Sequence, residues 1–418
     1  MIRKIKQTIK SSLFQGSLVI LAANIIANFF NYLFHLLTGR MLPVEQYGLL
    51  QSFIALSALL GITTNFFSFS VVNLIANKKK TSVASIINIL EKQTIKLSFI
   101  FLTIVLLLFP LLKTLLHSNS FFIYFIFSLQ VIFYFLPVVY QTILRAKLKF
   151  FAFGSIGIAS TLTKLFSAYI FILAGWQLTG ALGAFAVSGI ITTYLCWRLI
   201  NSYWPKTGAK LKKVKLGSSF WNFSLLSLLT NFFLISLYSI DIILARFFLD
   251  PYPAGIYAAA SVLGKIIFFA GGSVLLVIYP LLVKFKKNPA RMRETFWFSL
   301  FALSLICILG IIAFRFFPNF IVSLLYGQRY QEAGLFLPSF SIFVSLLVVF
   351  NLLIYLFLAL EKRMAVWLAG GAAFCQAILI IFRHDNIRVI IDNSIISLFL
   401  LFAISLPISI KLLNEKQK

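Results

Sequence analysis

Acidic side chains are scarce in this sequence: Asp and Glu together account for 10 of 418 residues, against 37 Lys and Arg. Charged residues of both signs make up only 11% of the chain, whereas 61% of it is hydrophobic. A soluble domain of this size needs far more polar surface, so the composition excludes an ordinary soluble protein. The few carboxylates are also scattered singly, which argues against the paired acid and base catalysts of an enzyme.

Cysteines and catalytic motifs are equally sparse. Cys196, Cys307 and Cys375 lie in apolar segments, without the spacing of a disulfide framework or a metal site. The sequence contains no glycine-rich phosphate loop, no cluster of metal ligands and no nucleophile–histidine arrangement. We therefore expect no metal, no bound cofactor and no enzymatic activity.

Long apolar runs fill the chain instead. Stretches of about 20 residues, enough to cross a hydrocarbon core about 30 Å thick as a helix, recur from end to end. A basic nucleic-acid-binding protein has no such runs, so we exclude nucleic acid as a partner. We predict an all-α polytopic membrane protein of about twelve transmembrane helices. The predicted spans cover residues 14–37, 47–74, 96–116, 121–144, 150–174, 179–200, 218–244, 254–282, 294–317, 334–360, 363–382 and 394–412.

The basic residues are concentrated in alternate gaps between these spans. If the N-terminus is cytoplasmic, most of the 37 fall on the inside, and Lys164 and Lys265 lie within spans. The remaining ones fall in the outside loops: Arg40, Lys113, Arg246, Arg315, Arg329, Arg383 and Arg388. This bias predicts a multi-pass protein of the cytoplasmic (inner) membrane with both termini inside. The inside clusters also predict contact with anionic membrane lipids.

The chain divides into two halves at its longest inside linker. This linker covers residues 201–217, which predicts an N-terminal six-helix bundle over 1–200 and a C-terminal six-helix bundle over 218–418. A constant shift relates polar residues of the first span to those of the seventh: Ser17, Asn24 and Asn31 fall on Ser224, Asn231 and Tyr238. The turns that follow also correspond, as Gly48 does to Gly255. Parallel repeats of this kind occur in membrane transporters.

Polar side chains form a stripe at helical spacing along the first span. Its members are Asn24, Asn28, Asn31 and His35. Asn231 and Tyr238 lie on a similar stripe of the seventh span. Such stripes serve either hydrogen bonds between helices or a water-accessible cavity. Because three Asn and a His are more than packing usually needs, we predict that they line a central cavity.

A few charges depart from the topological pattern. Lys164 lies near the middle of the fifth span, where an ammonium costs at least about 2.5–3.5 kcal/mol on insertion scales. Like Lys265 in the eighth span, it either snorkels to an interface or faces the cavity. Asp241 lies near the outer end of the seventh span. Three roles are open for it: an ion pair with Lys265 or Arg246, titration during transport, or capping of the helix end. Cations in such a cavity would select anionic headgroups, such as a phosphate-bearing lipid or an acidic sugar.

Three groups of residues resemble a known family. The first is Gly39-Arg40-Met41-Leu42-Pro43 with Tyr47-Gly48-Leu49-Leu50. The second runs from Asp241 to Ala245 and continues with Phe248-Leu249, Pro251, Gly255, Tyr257-Ala258-Ala259 and Leu263-Gly264-Lys265. The third is Tyr326-Gly327, Tyr330 and Glu332-Ala333. In this order, and with two sets of six spans, they resemble the polysaccharide transporters, or oligosaccharide flippases, of the multidrug/oligosaccharidyl-lipid/polysaccharide (MOP, MATE-like) exporter superfamily.

The resemblance implies two six-helix bundles that form a MATE-like V around a cavity opening alternately to each side. It implies a flippase for an undecaprenyl-pyrophosphate-linked oligosaccharide, a unit of O-antigen, capsule or exopolysaccharide. A proton or sodium gradient would drive it, with Asp241 as the ion-coupling candidate. Polysaccharide polymerase and glycosyltransferases would be partners. The candidates for attracting the pyrophosphate or sugar acids are then Lys164, Lys265, Arg40 and Arg246.

Three alternatives stay open from the sequence. One is an ion-coupled small-molecule or drug antiporter on the same fold, although an exporter of cationic drugs would need carboxylates deep in several helices. Another is a membrane-embedded enzyme of glycan assembly, and the third is a non-transporting scaffold for such enzymes.

Overall fold

The structure, a computed structural model, describes residues 12–75, 80–200 and 218–414. Within these ranges the chain forms fifteen α-helices and no β-strand. The α-helices are α1 Ser12–Met41, α2 Val44–Ile75, α3 Lys80–Leu107, α4 Phe109–Leu116, α5 Phe121–Ala146, α6 Phe150–Phe171, α7 Gln177–Ile200, α8 Ser218–Leu237, α9 Ile240–Phe248, α10 Pro251–Lys284, α11 Pro289–Phe316, α12 Pro318–Leu325, α13 Leu337–Ala359, α14 Met364–Phe382 and α15 Ile387–Asn414. A π-helical turn, Ile172–Trp176, joins α6 to α7, and a 3₁₀ segment, Gln328–Leu335, lies between α12 and α13.

Each predicted span coincides with helix, and the all-α membrane fold is confirmed. By length and composition, eight of the described helical segments could cross a membrane, or ten if each of two bent pairs forms one span. One of the eight, Phe150–Ile200, contains two predicted spans; Gly175, at φ 88°, interrupts the helix between them. The chain is therefore a multi-pass membrane protein.

Two of the predicted spans are broken helices. The axis bends by 63° between α3 and α4, and by 42° between α8 and α9. Discontinuous helices place backbone ends within the membrane, where they commonly form ion and substrate sites. The second break brings Asp241 into the first turn of α9.

The described residues fall into two compact units. The first unit lies within Met1–Leu42, Gly61–Lys113 and Ser118–Ser224. The second lies within Pro43–Leu60, Thr114–His117 and Leu225–Lys418. Two short segments of the N-terminal half thus belong to the second unit. The division at a linker over 201–217 stays a prediction, because that segment lies outside the described residues.

Each unit is organised around a few packed helices. In the first unit α6 packs against both α1 and α7, and α5 packs against α3 and α7. In the second unit α13 lies at the centre, in contact with α10, α11 and α15. Most of α13 is buried, which suits a helix that is hydrophobic on all sides. These arrangements place the polar stripe of α1 beside α6, and α9 beside α10.

Candidate functional site

Lys164 is enclosed by neutral groups in the first unit. Its ammonium nitrogen donates a hydrogen bond to the amide oxygen of Asn31 on α1. The same nitrogen lies 4.7 Å from the ring centre of Phe34 and 4.8 Å from that of Phe185. Only 9% of the residue is exposed, so the side chain does not snorkel out of its unit. The predicted stripe residue Asn31 and the predicted lysine are therefore direct neighbours.

No carboxylate balances this ammonium among the described contacts of Lys164. The ranges of the first unit contain a single acidic residue, Glu91. The carboxylate of Glu91 accepts a hydrogen bond of 2.6 Å from the hydroxyl of Tyr140, between α3 and α5. Aromatic faces and an amide oxygen stabilise a cation in part, but they leave its net charge in place. The surroundings of Lys164 can therefore attract an anion.

A serine pair fixes α6 at this position. Ser160, one turn before Lys164, lies 3.0 Å from Ser188 of α7 between their hydroxyl oxygens. Ser188 also donates a hydrogen bond of 2.7 Å to the backbone carbonyl of Ser160. Phe185 is one turn before Ser188, so the pair holds the aromatic ring beside the ammonium. The Phe34 and Phe185 rings meet edge to face, 5.2 Å between centres.

The other predicted residues of α1 differ in exposure. Asn24 and His35 are half-buried, whereas Asn28 and Arg40 are exposed. Arg40 lies in the last turn of the helix, and Asn31 is the stripe residue that hydrogen-bonds Lys164. A role of the other four in substrate binding stays a prediction.

A second polar cluster surrounds Asp241 in the second unit. Asp241 is fully buried, and one carboxylate oxygen accepts a hydrogen bond of 2.9 Å from the hydroxyl of Tyr257. Backbone amides at the start of α9 lie close enough to interact with the carboxylate, as a helix N-terminus favours an anion. Its other oxygen, Oδ1, accepts no well-formed hydrogen bond from the described residues. Asp241 thus has one side-chain donor, Tyr257, and lies beside the break between α8 and α9.

Lys265 approaches this cluster without pairing directly. It is half-buried and close enough to Asp241 to interact electrostatically, but the two form no salt bridge in the described structure. Its nitrogen lies 5.6 Å from the ring centre of Tyr238, the residue that the repeat shift aligns with Asn31. In each unit, therefore, one stripe residue contacts a lysine. Asn231 instead donates a hydrogen bond of 2.8 Å to the carbonyl of Ser227 in its own helix.

Arg246 contacts backbone carbonyls. Its guanidinium donates hydrogen bonds to the carbonyl of Leu116, at 2.9 Å, and of Pro251, at 3.4 Å. Only 4% of the residue is exposed. Arg246 forms no salt bridge with Asp241 in the described structure. Its contacts tie the end of α4 to the start of α10, and a role in substrate binding stays a prediction.

Three residues that contact Lys164 or Asp241 were not predicted from the sequence as site residues: Phe34, Phe185 and Tyr257. Phe34 follows Asn31 by one helical turn, but a Phe among 48 carries no signal of its own. Phe185 comes from a segment with no distinguishing pattern. Tyr257 does carry a signal, because Tyr257, Ser261 and Lys265 recur every four residues and so share one face of α10. Ser261 is fully buried there, and its hydroxyl has no hydrogen-bond partner among the described residues.

The fold and these buried charges define a class: polytopic helical membrane proteins built from two helical units. A multidrug transporter of the MATE family and MOP superfamily, in an inward-facing conformation, matches with TM-score 0.73 and 12% identity over 96% of this chain and 99% of its own. The lipid II flippase MurJ matches with TM-score 0.66 and 15% identity over 92% of this chain and 87% of its own. The MATE transporter VcmN of Vibrio cholerae matches with TM-score 0.65 and 14% identity over 97% of both chains. The MATE-like fold predicted from the sequence is confirmed.

The family follows from the sequence itself. Residues 36–334 match the family described as "Polysaccharide biosynthesis protein", and the chain belongs to it. No curated protein matches the sequence. The predicted membership in a polysaccharide family is confirmed by this match, and the likeness to MATE transporters and MurJ is one of fold.

Proposed function

We propose that the protein is a flippase that moves an undecaprenyl-pyrophosphate-linked oligosaccharide across the cytoplasmic membrane by alternating access. The observation that carries this proposal is Lys164, a buried ammonium whose described partners are all neutral. Membership in a polysaccharide biosynthesis family supports a glycan as the cargo. The fold shared with MATE transporters and MurJ supports translocation rather than synthesis.

The anionic pyrophosphate is the part of the substrate that Lys164 would bind. Burial of an unpaired ammonium costs several kcal/mol, and an arriving phosphate oxygen offsets part of this cost. Asn31 and the two rings keep the ammonium positioned while no substrate is present. Because these neutral partners compete with the phosphate, binding stays modest and release on the far side is not blocked. Asn24 and Asn28 are suited to meet sugar hydroxyls, and Lys265 and Arg40 are further candidates for the headgroup.

Asp241 is the group we propose for coupling to an ion gradient. It is fully buried, and its Oδ1, beside a helix break, accepts no well-formed hydrogen bond from the described residues. A proton or a sodium ion at that oxygen would neutralise the carboxylate without disturbing the Tyr257 hydrogen bond. Lys265 is near enough to respond to that change in charge. We expect Asp241→Asn to flip substrate down its own gradient but to lose acceleration by a proton or sodium gradient.

Flipping by purified protein in proteoliposomes tests the main proposal. A lipid-linked oligosaccharide becomes accessible to an impermeant lectin when it is flipped. Lys164→Met should reduce this rate by about tenfold or more, since a hydrogen bond to a charged group is worth about 1.5–3 kcal/mol. Exposed Lys411 provides the control, and Lys411→Met should flip at the wild-type rate. Unchanged flipping by Lys164→Met would remove Lys164 from the mechanism.

The second candidate function is a drug or small-solute antiporter. The likeness to a MATE multidrug transporter, at TM-score 0.73, favours it. Expression in cells that lack their own pumps separates the two functions, because an antiporter would raise resistance to cationic dyes and a flippase would not. Flipping by protein purified without partner enzymes would also argue against a scaffold, and an unchanged glycan would argue against a glycan-assembly enzyme.

A further inference from the structure

Three buried tyrosines join distant parts of the second unit. Tyr47 lies in the first turn of α2, and Tyr326 and Tyr330 flank the turn that follows α12. The hydroxyl oxygens of Tyr47 and Tyr326 are 2.7 Å apart, which is an ordinary hydroxyl hydrogen bond. The Tyr47 ring centre lies 5.6 Å from that of Tyr326 and 5.8 Å from that of Tyr330, and the latter two are 5.2 Å apart. No more than 2% of any of them is exposed.

Two glycines bring α2 against α10 beside this cluster. A Cβ atom on Gly48 would lie 2.7 Å from the Cα atom of Gly255, closer than real Cβ atoms approach. The two backbones therefore touch, as small residues permit in membrane helix pairs. The start of α2 thus packs against α10 through the two glycines and against the turn after α12 through the tyrosines.

Helix α2 is divided between the two units. Residues Pro43–Leu60 group with the second unit, whereas α2 continues from Gly61 as part of the first. The hydroxyl pair and the ring contacts are among the interactions that hold this segment, and each of them is modest. Such contacts are individually weak enough to break during a transport cycle.

One hydroxyl of the tyrosine cluster, that of Tyr330, lacks a hydrogen-bond partner among the described residues in this conformation. Tyr330 is fully buried. Burial raises the pKa of Tyr330 above its ordinary value, so the hydroxyl stays protonated and keeps a proton to donate. A buried donor without a partner is unfavourable, and this cost lowers the barrier to rearrangement.

We propose that Tyr47 and Tyr326 are positioning residues whose hydroxyl pair forms a latch that opens and recloses in every transport cycle. The latch acts on the Pro43–Leu60 segment and touches neither the headgroup site at Lys164 nor Asp241. It lies at the end of the helices that the charge pattern predicts to face outside. The inference rests on the proposed flippase function, because it assigns the contact a step in transport.

A reversible bridge across the latch tests this assignment. Glu45 on α2 and Gln328 in the facing turn are both accessible to solvent, so Glu45→Cys and Gln328→Cys can be combined in a variant whose Cys196, Cys307 and Cys375 are replaced by Ala. A short bifunctional thiosulfonate joins the two thiols, and a reductant releases it. The bridged protein should flip lipid-linked oligosaccharide about tenfold more slowly or worse, and recover on reduction. Each single-cysteine variant, treated alike, should stay at its untreated rate. Full activity of the bridged protein would overturn the latch.

A distance measurement separates failure of the latch from failure of the proposed function. Spin labels on the same two cysteines report opening without any glycan present. We expect two distances whose ratio changes with the ion gradient, and Tyr47→Phe should enrich the longer one about fivefold, as loss of a net hydrogen bond of about 1 kcal/mol predicts. One short distance under all conditions overturns the latch. If the two distances exchange but the reduced protein flips no lipid-linked oligosaccharide, the proposed cargo is wrong and the latch stands.

Discussion

Asn31 on α1 accepts a hydrogen bond from Lys164 on α6, and this contact joins the polar stripe of the first helix to the buried lysine of the same unit. A neutral amide at this position leaves the ammonium charge uncompensated. A carboxylate there would supply a resident counter-ion and remove the reason for an anionic ligand to bind. The choice of Asn over Asp is therefore part of the proposed mechanism.

Asn31→Asp should accordingly raise the stability of the protein and lower its flipping. The new ion pair replaces a neutral contact, so we expect a rise in the melting temperature and about a tenfold fall in flipping, because the headgroup must now compete with the introduced carboxylate. Both quantities can be measured on the same purified sample. The control is Asn288→Asp, the same chemical change at the N-cap of α11, where Asn and Asp cap equally well. Faster flipping by Asn31→Asp would contradict anion binding at Lys164.

The Phe34 ring should be coupled energetically to Lys164. Phe34→Leu keeps an apolar side chain but removes the ring face, so it should cost about 0.5–2 kcal/mol when Lys164 is present. The cost should shrink in a Lys164→Met background, and a double-mutant cycle on unfolding free energy measures the difference. Phe166, exposed on the same helix α6, provides a control, because Phe166→Leu should show no coupling. Equal costs in both backgrounds would mean that the ring only packs.

We expect Arg246 to stabilise the fold rather than to bind substrate. Arg246→Ala removes donors from the carbonyls of Leu116 and Pro251, and hydrogen bonds to charged groups are worth about 1.5–3 kcal/mol each. We expect a clear loss of folded protein in the membrane, measured by fluorescence-detected size-exclusion chromatography. Arg315, exposed at the end of α11, is the matched control. Normal abundance of Arg246→Ala, together with lost flipping, would instead support the headgroup role predicted from sequence.

Gly48 and Gly255 should tolerate no side chain. Gly48→Ala places a methyl group 2.7 Å from the Cα atom of Gly255, and overpacking of this kind typically costs about 1–3 kcal/mol. We expect a lower melting temperature for Gly48→Ala. A methyl group added at Gly272 of α10 would meet open space, so Gly272→Ala should be stable. A stable Gly48→Ala would show that α2 does not need to touch α10.

The helices and their polar stripes could be predicted because they depend on local patterns. Apolar runs must cover the bilayer thickness, and each predicted span coincides with helix. Lys164, Lys265 and Asp241 stand out because charges are rare in such runs. The break before Phe109 has a signal in Pro110, since a proline inside a helical pattern ends or kinks the helix. The break before Ile240 could not be predicted, because no proline or glycine lies beside it and a bend leaves the composition of an apolar segment unchanged.

The partners of the charges could not be predicted either. Separation along the chain makes Lys265 and Arg246 reasonable partners for Asp241, yet Asp241 accepts from Tyr257 and Arg246 donates to carbonyls. Phe185 meets Lys164 only because α7 packs on α6. Contacts between residues on different helices depend on packing that no local pattern encodes.

The membrane class, the helical spans and the family can be derived from the sequence, because hydrophobic length, the placement of Lys and Arg, and ordered motifs all act through local or compositional physics. Folding in three dimensions sets the neutral partners of Lys164, the hydrogen bond of Asp241 with Tyr257, and the contact of Tyr47 with Tyr326 across 279 positions. The reason is physical: a buried charge acquires its chemistry from the groups that surround it in space, and packing chooses those groups.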